Sequence, residues 1–226
     1  MANFSFTFTK LKGFEKCARQ HKAQLDKVPG MEPSGDAIDY GNRVHAALAA
    51  ALRNENPAEL PREMAYLQFW VDYVDGLVGE KHIEAKWGLT YNFQPTDFFG
   101  GAAWLRLIVD AAVVGPKIGH LIDWKTGRRE EEPLQLWLGA AVMFAKFPHL
   151  EAIDSMFCWL KEDDGKNSHE CISAEIIRRE EVDTIWRNIL PRVEVYQDAL
   201  LTNNFPPSPG WHCRYCKLAT CDVRQT

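Results

Sequence analysis

Two acids and a lysine stand where chemistry could be done. Asp110 lies within Leu107-Ile108-Val109-Asp110-Ala111-Ala112, and Asp123 and Lys125 lie within Leu121-Ile122-Asp123-Trp124-Lys125-Thr126-Gly127. Both acids interrupt apolar, strand-like sequence, where an unpaired charge is costly. Side chains alternate faces along a strand, so Asp123 and Lys125 share a face, and Asp110 occupies the polar position of the neighbouring strand. Two carboxylates from paired strands can hold a hard cation such as Mg²⁺, and the Trp124 backbone carbonyl offers a further oxygen. A lysine beside such a site can orient a water and stabilise charge on a phosphate in the transition state. An isolated Asp-x-Lys is more often an ordinary surface pair. The apolar setting of both acids is what favours a site.

A second group is made of sulfur. Cys213, Cys216 and Cys221 crowd a Pro- and Gly-rich tail, Gly-Trp-His-Cys-Arg-Tyr-Cys-Lys-Leu-Ala-Thr-Cys, that is poor core material. They are good ligands for a soft metal, and Cys17 is the candidate fourth, with His212 as an alternative. By spacing alone, structural zinc and an iron–sulfur cluster fit equally well. Cys158 and Cys171 sit in apolar or strand-like sequence and read as buried thiols.

The elements that would position these residues can be read from periodicity. Residues 7 to 26 carry Leu11, Phe14 and Ala18 at helical spacing, with Thr9 as the expected N-cap. Pro29, Gly30, Pro33 and Gly35 mark a loop. A helix over 36 to 53 turns Ile38, Val44, Ala47, Leu48 and Ala51 to one face, and Pro57 and Pro61 separate it from a helix over 62 to 79. Strands follow at 82–93, 102–114 and 119–124, with Gly115 to Gly119 as a tight antiparallel connection. A helix over 132–146, strands at 152–161 and 169–176, and a long helix over 179–203 complete the order. The expected fold class is α/β (α+β), a mixed central sheet flanked by helices.

The chain has 226 residues, 46% hydrophobic and 25% charged. That suits one full core and is short for two, so the expectation is one domain over 1–226. Its core would span 36–203, with 7–26 and 205–226 forming a cysteine clasp. The net charge of −5 argues against coating duplex DNA by bulk electrostatics, yet leaves room for a local basic channel. No apolar run reaches the roughly 20 residues of a membrane span, and the start carries no basic or apolar leader. A cytoplasmic protein is expected, and in a reducing compartment its six cysteines would not form a disulfide framework.

Asp110 followed by Asp123-Trp124-Lys125-Thr126-Gly127 resembles the core of PD-(D/E)xK nucleases of the RecB-like branch, whose second acid and lysine stand in Asp-x-Lys-Thr-Gly. Tyr40-Gly41-Asn42-Arg43-Val44-His45 resembles that family's helix-borne Gly-x-x-x-His element, whose histidine is a further metal ligand. Glu84 stands where the family often has a glutamate, and Gln135 matches the first residue of its Gln-x-x-x-Tyr DNA-positioning element. Two positions depart from the pattern. Gly139 replaces the tyrosine, with Trp137 about 160° round the helix from it, and Leu107 replaces a glycine three residues before the first acid.

The resemblance runs from about residue 7 to 221 and implies a restriction-endonuclease-like fold. It also implies Mg²⁺ or Mn²⁺ held by His45, Asp110, Asp123 and the Trp124 carbonyl, with Lys125 assisting and Glu84 secondary. AddB-type and CRISPR-adaptation nucleases similarly bind a [4Fe–4S] cluster through one N-terminal and three C-terminal cysteines. That favours a cluster over zinc at Cys17, Cys213, Cys216 and Cys221. The implied activity is exonucleolytic cleavage of DNA with single-stranded character, in recombination, repair or spacer processing, in a host cytoplasm if phage-encoded. Recombination or CRISPR-adaptation proteins would be its partners. The alternative is a non-catalytic DNA-binding or complex-forming subunit that keeps the fold and the cluster, and a third reading is a structural zinc protein.

Overall fold

The structure is a computed structural model in which residues 4–32, 35–53, 60–130, 132–160 and 171–223 are described. The turn residues Pro33 and Pro57, and the expected strand ends at 161 and 169–170, lie outside them. Six strands form one mixed sheet in the order β2-β1-β3-β4-β5-β6. They are β1 (Glu80–Leu89), β2 (Pro95–Thr96), β3 (Leu105–Val114), β4 (Ile118–Lys125), β5 (Ala152–Trp159) and β6 (Ile172–Arg178). All neighbours are antiparallel except β4 and β5. That parallel pair requires a crossover, supplied by helix α5 (Pro133–Lys146). A mixed α/β sheet flanked by helices is the architecture expected from the order of elements, and it is consistent with a restriction-endonuclease-like fold.

Two apolar layers cover the sheet. On one side α5 and α6 (Val182–Thr202) pack with α1 (Phe8–Lys16), burying Leu11, Leu138, Phe144, Ile189 and Tyr196 among others. On the other side α3 (Asp36–Leu52) and α4 (Gln68–Gly76) bury Val44, Leu48, Trp70 and Val74 against Ala111, Val113, Ile122 and Trp124. Ile38, expected on the core face of α3, is instead 41% exposed and lines a cleft. Residues 62–67 form a 3₁₀ turn before α4 begins.

The N-terminal segment departs most from its expected form. Its cap is Thr7, whose hydroxyl accepts the Lys10 N–H at 3.2 Å, so Thr9 lies inside the helix. The single expected helix is broken at Cys17, which is extended (φ −163°, ψ 106°) between α1 and α2 (Ala18–Leu25). Three contacts bind the broken segment to α6: Glu15 pairs with Arg192, His21 Nε2 meets the Tyr196 hydroxyl at 2.8 Å, and Phe14 packs on Tyr196. Burial, and the nearby Lys10 charge, hold His21 below the usual histidine range. Burial pushes Tyr196 up to about 12. Among the described residues, no helix is long and apolar enough to cross a membrane.

The sheet is creased where β1 and β3 run side by side. Ile83 pairs with Ala111 and Ala85 with Val109, with one residue between on each strand. Regular alternation would put Ile83 and Ala85 on one face. Instead Ile83 and Ala111 pack with α3 and α4, whereas Ala85 and Val109 pack with α5 and α6. The face changes at Glu84, whose φ is +49°, a conformation rare for a residue with a side chain. The crease therefore falls at Glu84 and Asp110.

Candidate active site

The crease brings both of these carboxylates to the α3 side of the sheet. His45, Glu84 and Asp110 each offer a ligand atom within 4.8 Å of the others, and among the described residues this is the group so arranged. His45 comes from α3, with Nδ1 3.3 Å from Asp110 Oδ1. Four residues earlier in the helix, Gly41 faces the turn that follows β4. A Cβ there would lie 2.8 Å from Thr126 Oγ1, so only a glycine lets α3 approach this closely without displacing Thr126. Residues four apart share a helix face, so the approach that Gly41 permits is also what delivers His45 to Asp110. That is a physical reason for Gly-x-x-x-His.

Beyond Ala111 and Ile122 the paired register of β3 and β4 ends. The Trp124 N–H there donates to Asp110 Oδ2 at 2.8 Å. One carboxylate thus sits where the strands part, holding the second strand by its backbone and His45 by its other oxygen. Asp123 and Lys125 share a face as alternation requires, with Lys125 Nζ 2.6 Å from Asp123 Oδ2. Gln135 of α5 closes the set: its amide donates to Asp123 Oδ1 at 2.5 Å, and its carbonyl accepts from Lys125 at 3.0 Å. Phe157, opposite Asp123 on β5, lies under the Lys125 ammonium, 5.0 Å from it.

The charges are strongly linked. Burial, then the charge of Asp110, pushes Asp123 up to about 6, against the opposing effects of Lys125 and His45. Burial and Asp110 raise Glu84. Burial alone would lower His45, but the hydrogen bond and charge of Asp110, with Asp123 and Glu84 behind it, raise it. Crowded carboxylates whose ionised forms are disfavoured suit a site that gains a cation.

Of the residues singled out in the sequence, Asp110, His45 and Glu84 come together, and Asp123 and Lys125 stand beside them. Asp123 is engaged by Lys125 and Gln135 rather than by the closest group. Glu84, read as secondary, lies in the middle of β1 and within that group. Gln135, read as a DNA-positioning residue, holds the lysine and the second acid in place. We predict that Gln135→Ala lowers turnover by about 10–100-fold while leaving the fold intact, the range typical of residues that orient a site from behind; single-turnover kinetics would check this. Arg53 and Lys86 were not anticipated; they line a cleft of about 930 Å³ beside His45 and Glu84. Nothing in their local sequence marks them: the crease brings Lys86 to this face, and the end of α3 brings Arg53.

Gly139 explains its own departure from the motif. A Cβ on it would lie 2.5 Å from Leu121 Cδ2, so at this position α5 lies directly on β4. Trp137 faces elsewhere and donates its indole N–H to Glu175 at 2.7 Å.

Far along the chain from these acids, Cys17, Cys213, Cys216 and Cys221 line one small pocket together with His212. The Gly210 N–H points at Cys213 Sγ, 3.4 Å away. No disulfide joins any of the six cysteines, and Cys158 and Cys171 are buried. Arg19 pairs with Asp222 across the same junction, and a small cluster of Ala23, Met31, Cys216 and Leu218 lies beneath it.

No curated protein matches the chain. Among solved structures it is similar to SSO0001, with 15% identity over 98% of this chain and 88% of that one and a TM-score of 0.43. It is also similar to a "putative exonuclease" from Eubacterium rectale, with 9% identity over 99% of this chain and 91% of that one and a TM-score of 0.53. At such identity the second likeness speaks for the fold alone. The profile of the PD-(D/E)XK nuclease superfamily matches residues 5–221, a span that includes the two acids, the lysine, the histidine and all four clasp cysteines. The chain belongs to the PD-(D/E)XK nuclease superfamily.

Proposed function

We propose that this protein is a divalent-metal-dependent deoxyribonuclease of the RecB-like branch, acting as an exonuclease on DNA with single-stranded character. The observation that carries the reading is the convergence of His45, Glu84 and Asp110 within 4.8 Å, next to an Asp123–Lys125 pair. One imidazole and two carboxylates make a hard oxygen and nitrogen donor set, which fits Mg²⁺ or Mn²⁺. On this reading Asp123 and the Trp124 carbonyl would supply further oxygen donors. A divalent ion supplies Lewis-acid polarisation of the phosphate and a more acidic water.

The chain's own groups do the rest. Asp123 and Gln135 fix the Lys125 ammonium, so that its charge is in place before a phosphate arrives. Asp110 joins α3, β3 and β4 at one point and sets the relative position of His45 and the Trp124 backbone. Arg53 and Lys86 give the cleft beside the acids a positive lining. Single- and double-stranded DNA, end-labelled and incubated with Mg²⁺ or Mn²⁺, would report cleavage, polarity and strand preference together. Absence of metal-dependent cleavage would overturn the reading and leave a non-catalytic DNA-binding subunit. Gly139, in place of the family's tyrosine, bears on that alternative. Its contact with Leu121 supports a packing reason for the missing tyrosine instead.

We further infer that the four cysteines hold a [4Fe–4S] cluster rather than zinc. Four sulfurs around one pocket, with a backbone N–H directed at one of them, support a thiolate-bound group, and the resemblance to cluster-bearing relatives favours iron. Iron and sulfide in the purified protein, with visible absorption, would bear this out; stoichiometric zinc in a colourless protein would overturn it. On this reading the protein works in the cytoplasm, alongside recombination or CRISPR-adaptation proteins.

A further inference from the structure

The crease divides the β1–β3 ladder into two halves, and only one half is covered by α3 and α4. In the other half the face that carries Glu84 and Asp110 continues along the strands. Lys86 pairs with Ile108, and Gly88 pairs with Arg106. Lys86 is exposed, and Ile108 is 49% exposed, unusual for an isoleucine near the middle of a strand. At about 3.3 Å per residue, Gly88 lies roughly 13 Å beyond Glu84. The face is therefore a track leading away from the acids.

Two aromatic rings stand over the far end of this track. Gly88 makes room for the segment after β2: a Cβ there would meet Thr96 O at 3.1 Å, Asp97 O at 3.2 Å and Phe98 Cα at 3.3 Å. A turn then follows, in which the Gly100 N–H donates to Asp97 O at 3.1 Å and the Asp97 carboxylate accepts the Phe99 N–H at 3.4 Å. The turn presents Phe98 and Phe99 with centroids 4.9 Å apart at 78°. Phe99 is 72% exposed, and Lys86 Nζ lies 5.3 Å from its ring. The Arg106 guanidinium lies 6.0 Å from the Phe98 ring, and its buried Nε has no hydrogen-bond partner among the described residues. Lys86 also lines the cleft that contains His45 and Glu84, so the rings and the acids share one continuous surface.

An exposed phenylalanine held by a turn and flanked by cations offers a ring face and positive charge side by side, which a ligand with both a flat apolar face and negative charge would complement. Unpaired bases on a phosphate backbone have both, whereas duplex DNA hides its base faces. We propose that Phe98 and Phe99, with Lys86 and Arg106, form a base-stacking subsite for single-stranded DNA. It would hold unpaired nucleotides beyond the scissile phosphate and so set the enzyme's strand preference. This deepens the nuclease reading above and rests on it for the placement of that phosphate.

The test is fluorescence anisotropy with a labelled oligothymidylate in chelator, where no cleavage can occur. Phe98→Ala/Phe99→Ala is expected to bind at least about 10-fold more weakly, as loss of base–aromatic stacking requires. Phe99→Trp should bind as well as the wild type, while a blunt hairpin duplex should show little change with any variant. Unchanged oligothymidylate binding by the double variant would overturn the proposal. So would an equal loss on the duplex, or a tryptophan variant as weak as the alanine one. Cleavage of end-labelled DNA by the wild-type protein with Mn²⁺ tests the nuclease reading separately. Its failure would remove that reading while leaving the binding result to stand on its own.

Discussion

Asp110→Ala is expected to reduce metal-dependent DNA cleavage by at least about 10³-fold, more than the 10–100-fold typical of residues that only orient a site. Three losses coincide at this one position. A carboxylate leaves the group that includes His45 and Glu84, the Trp124 N–H loses its acceptor, and His45 loses the partner that holds it 3.3 Å away. Asp110→Asn separates these losses. The amide oxygen can still accept the Trp124 N–H, so the parting of β3 and β4 should persist, but a neutral ligand should not restore cleavage. Calorimetric titration with Mn²⁺ should show the charge effect directly, with both variants binding much more weakly than the wild type. An asparagine variant that cleaves at a wild-type rate would mean that Asp110 serves the backbone and not the metal.

The second large effect concerns stability. Cys17 and Cys213 are separated by nearly the whole chain, and a group bound by both closes a loop of roughly 200 residues, worth about 5 kcal/mol by loop-closure entropy. Other contacts also hold the N-terminal segment, among them Phe14 with Tyr196 and Phe205 and Lys16 over Trp211. Around the cysteines themselves lie a four-residue apolar cluster and the Arg19–Asp222 pair at the surface, and an exposed pair of that kind contributes at most about 1 kcal/mol. If the cysteines bind a metal group as proposed, Cys216→Ser should lose it and melt about 10–20 °C lower, taking about 2–4 °C per kcal/mol for a chain of this size. Melting curves with parallel iron and zinc analysis would check both halves. A serine variant that loses its metal and melts as before would show that the clasp does not hold the fold.

Much of this was legible in the sequence, and the pattern of what was not is physical. Asp123 and Lys125 share a face because strand alternation has no freedom to place them otherwise. His45 follows from helical spacing, once Gly41 is understood as the point of close approach. The break at Cys17 was hidden because Leu11, Phe14 and Ala18 keep helical period across it; one extended residue leaves no trace in periodicity. The contacts that hold α2, such as His21 with Tyr196, join residues 175 positions apart. The crease was hidden for a similar reason. A glutamate in strand sequence gives no sign of a positive φ, and the exposed side of Lys86, Ile108 and Arg106 depends on it. Gly139 reads in the sequence as a defect in a motif, and its closeness to Leu121 appears only once α5 has been laid on the sheet.

Glu84 carries a further consequence. Left-handed backbone costs a residue with a side chain about 1–2 kcal/mol, and glycine adopts it freely. Its carboxylate is also disfavoured by burial and by Asp110. Both considerations make glycine the more stable choice at position 84, and glycine would remove a ligand from the proposed centre. A library of variants selected for thermostability alone should therefore drift toward inactive chains at this residue, while one selected for cleavage should keep the acid and accept the softer fold.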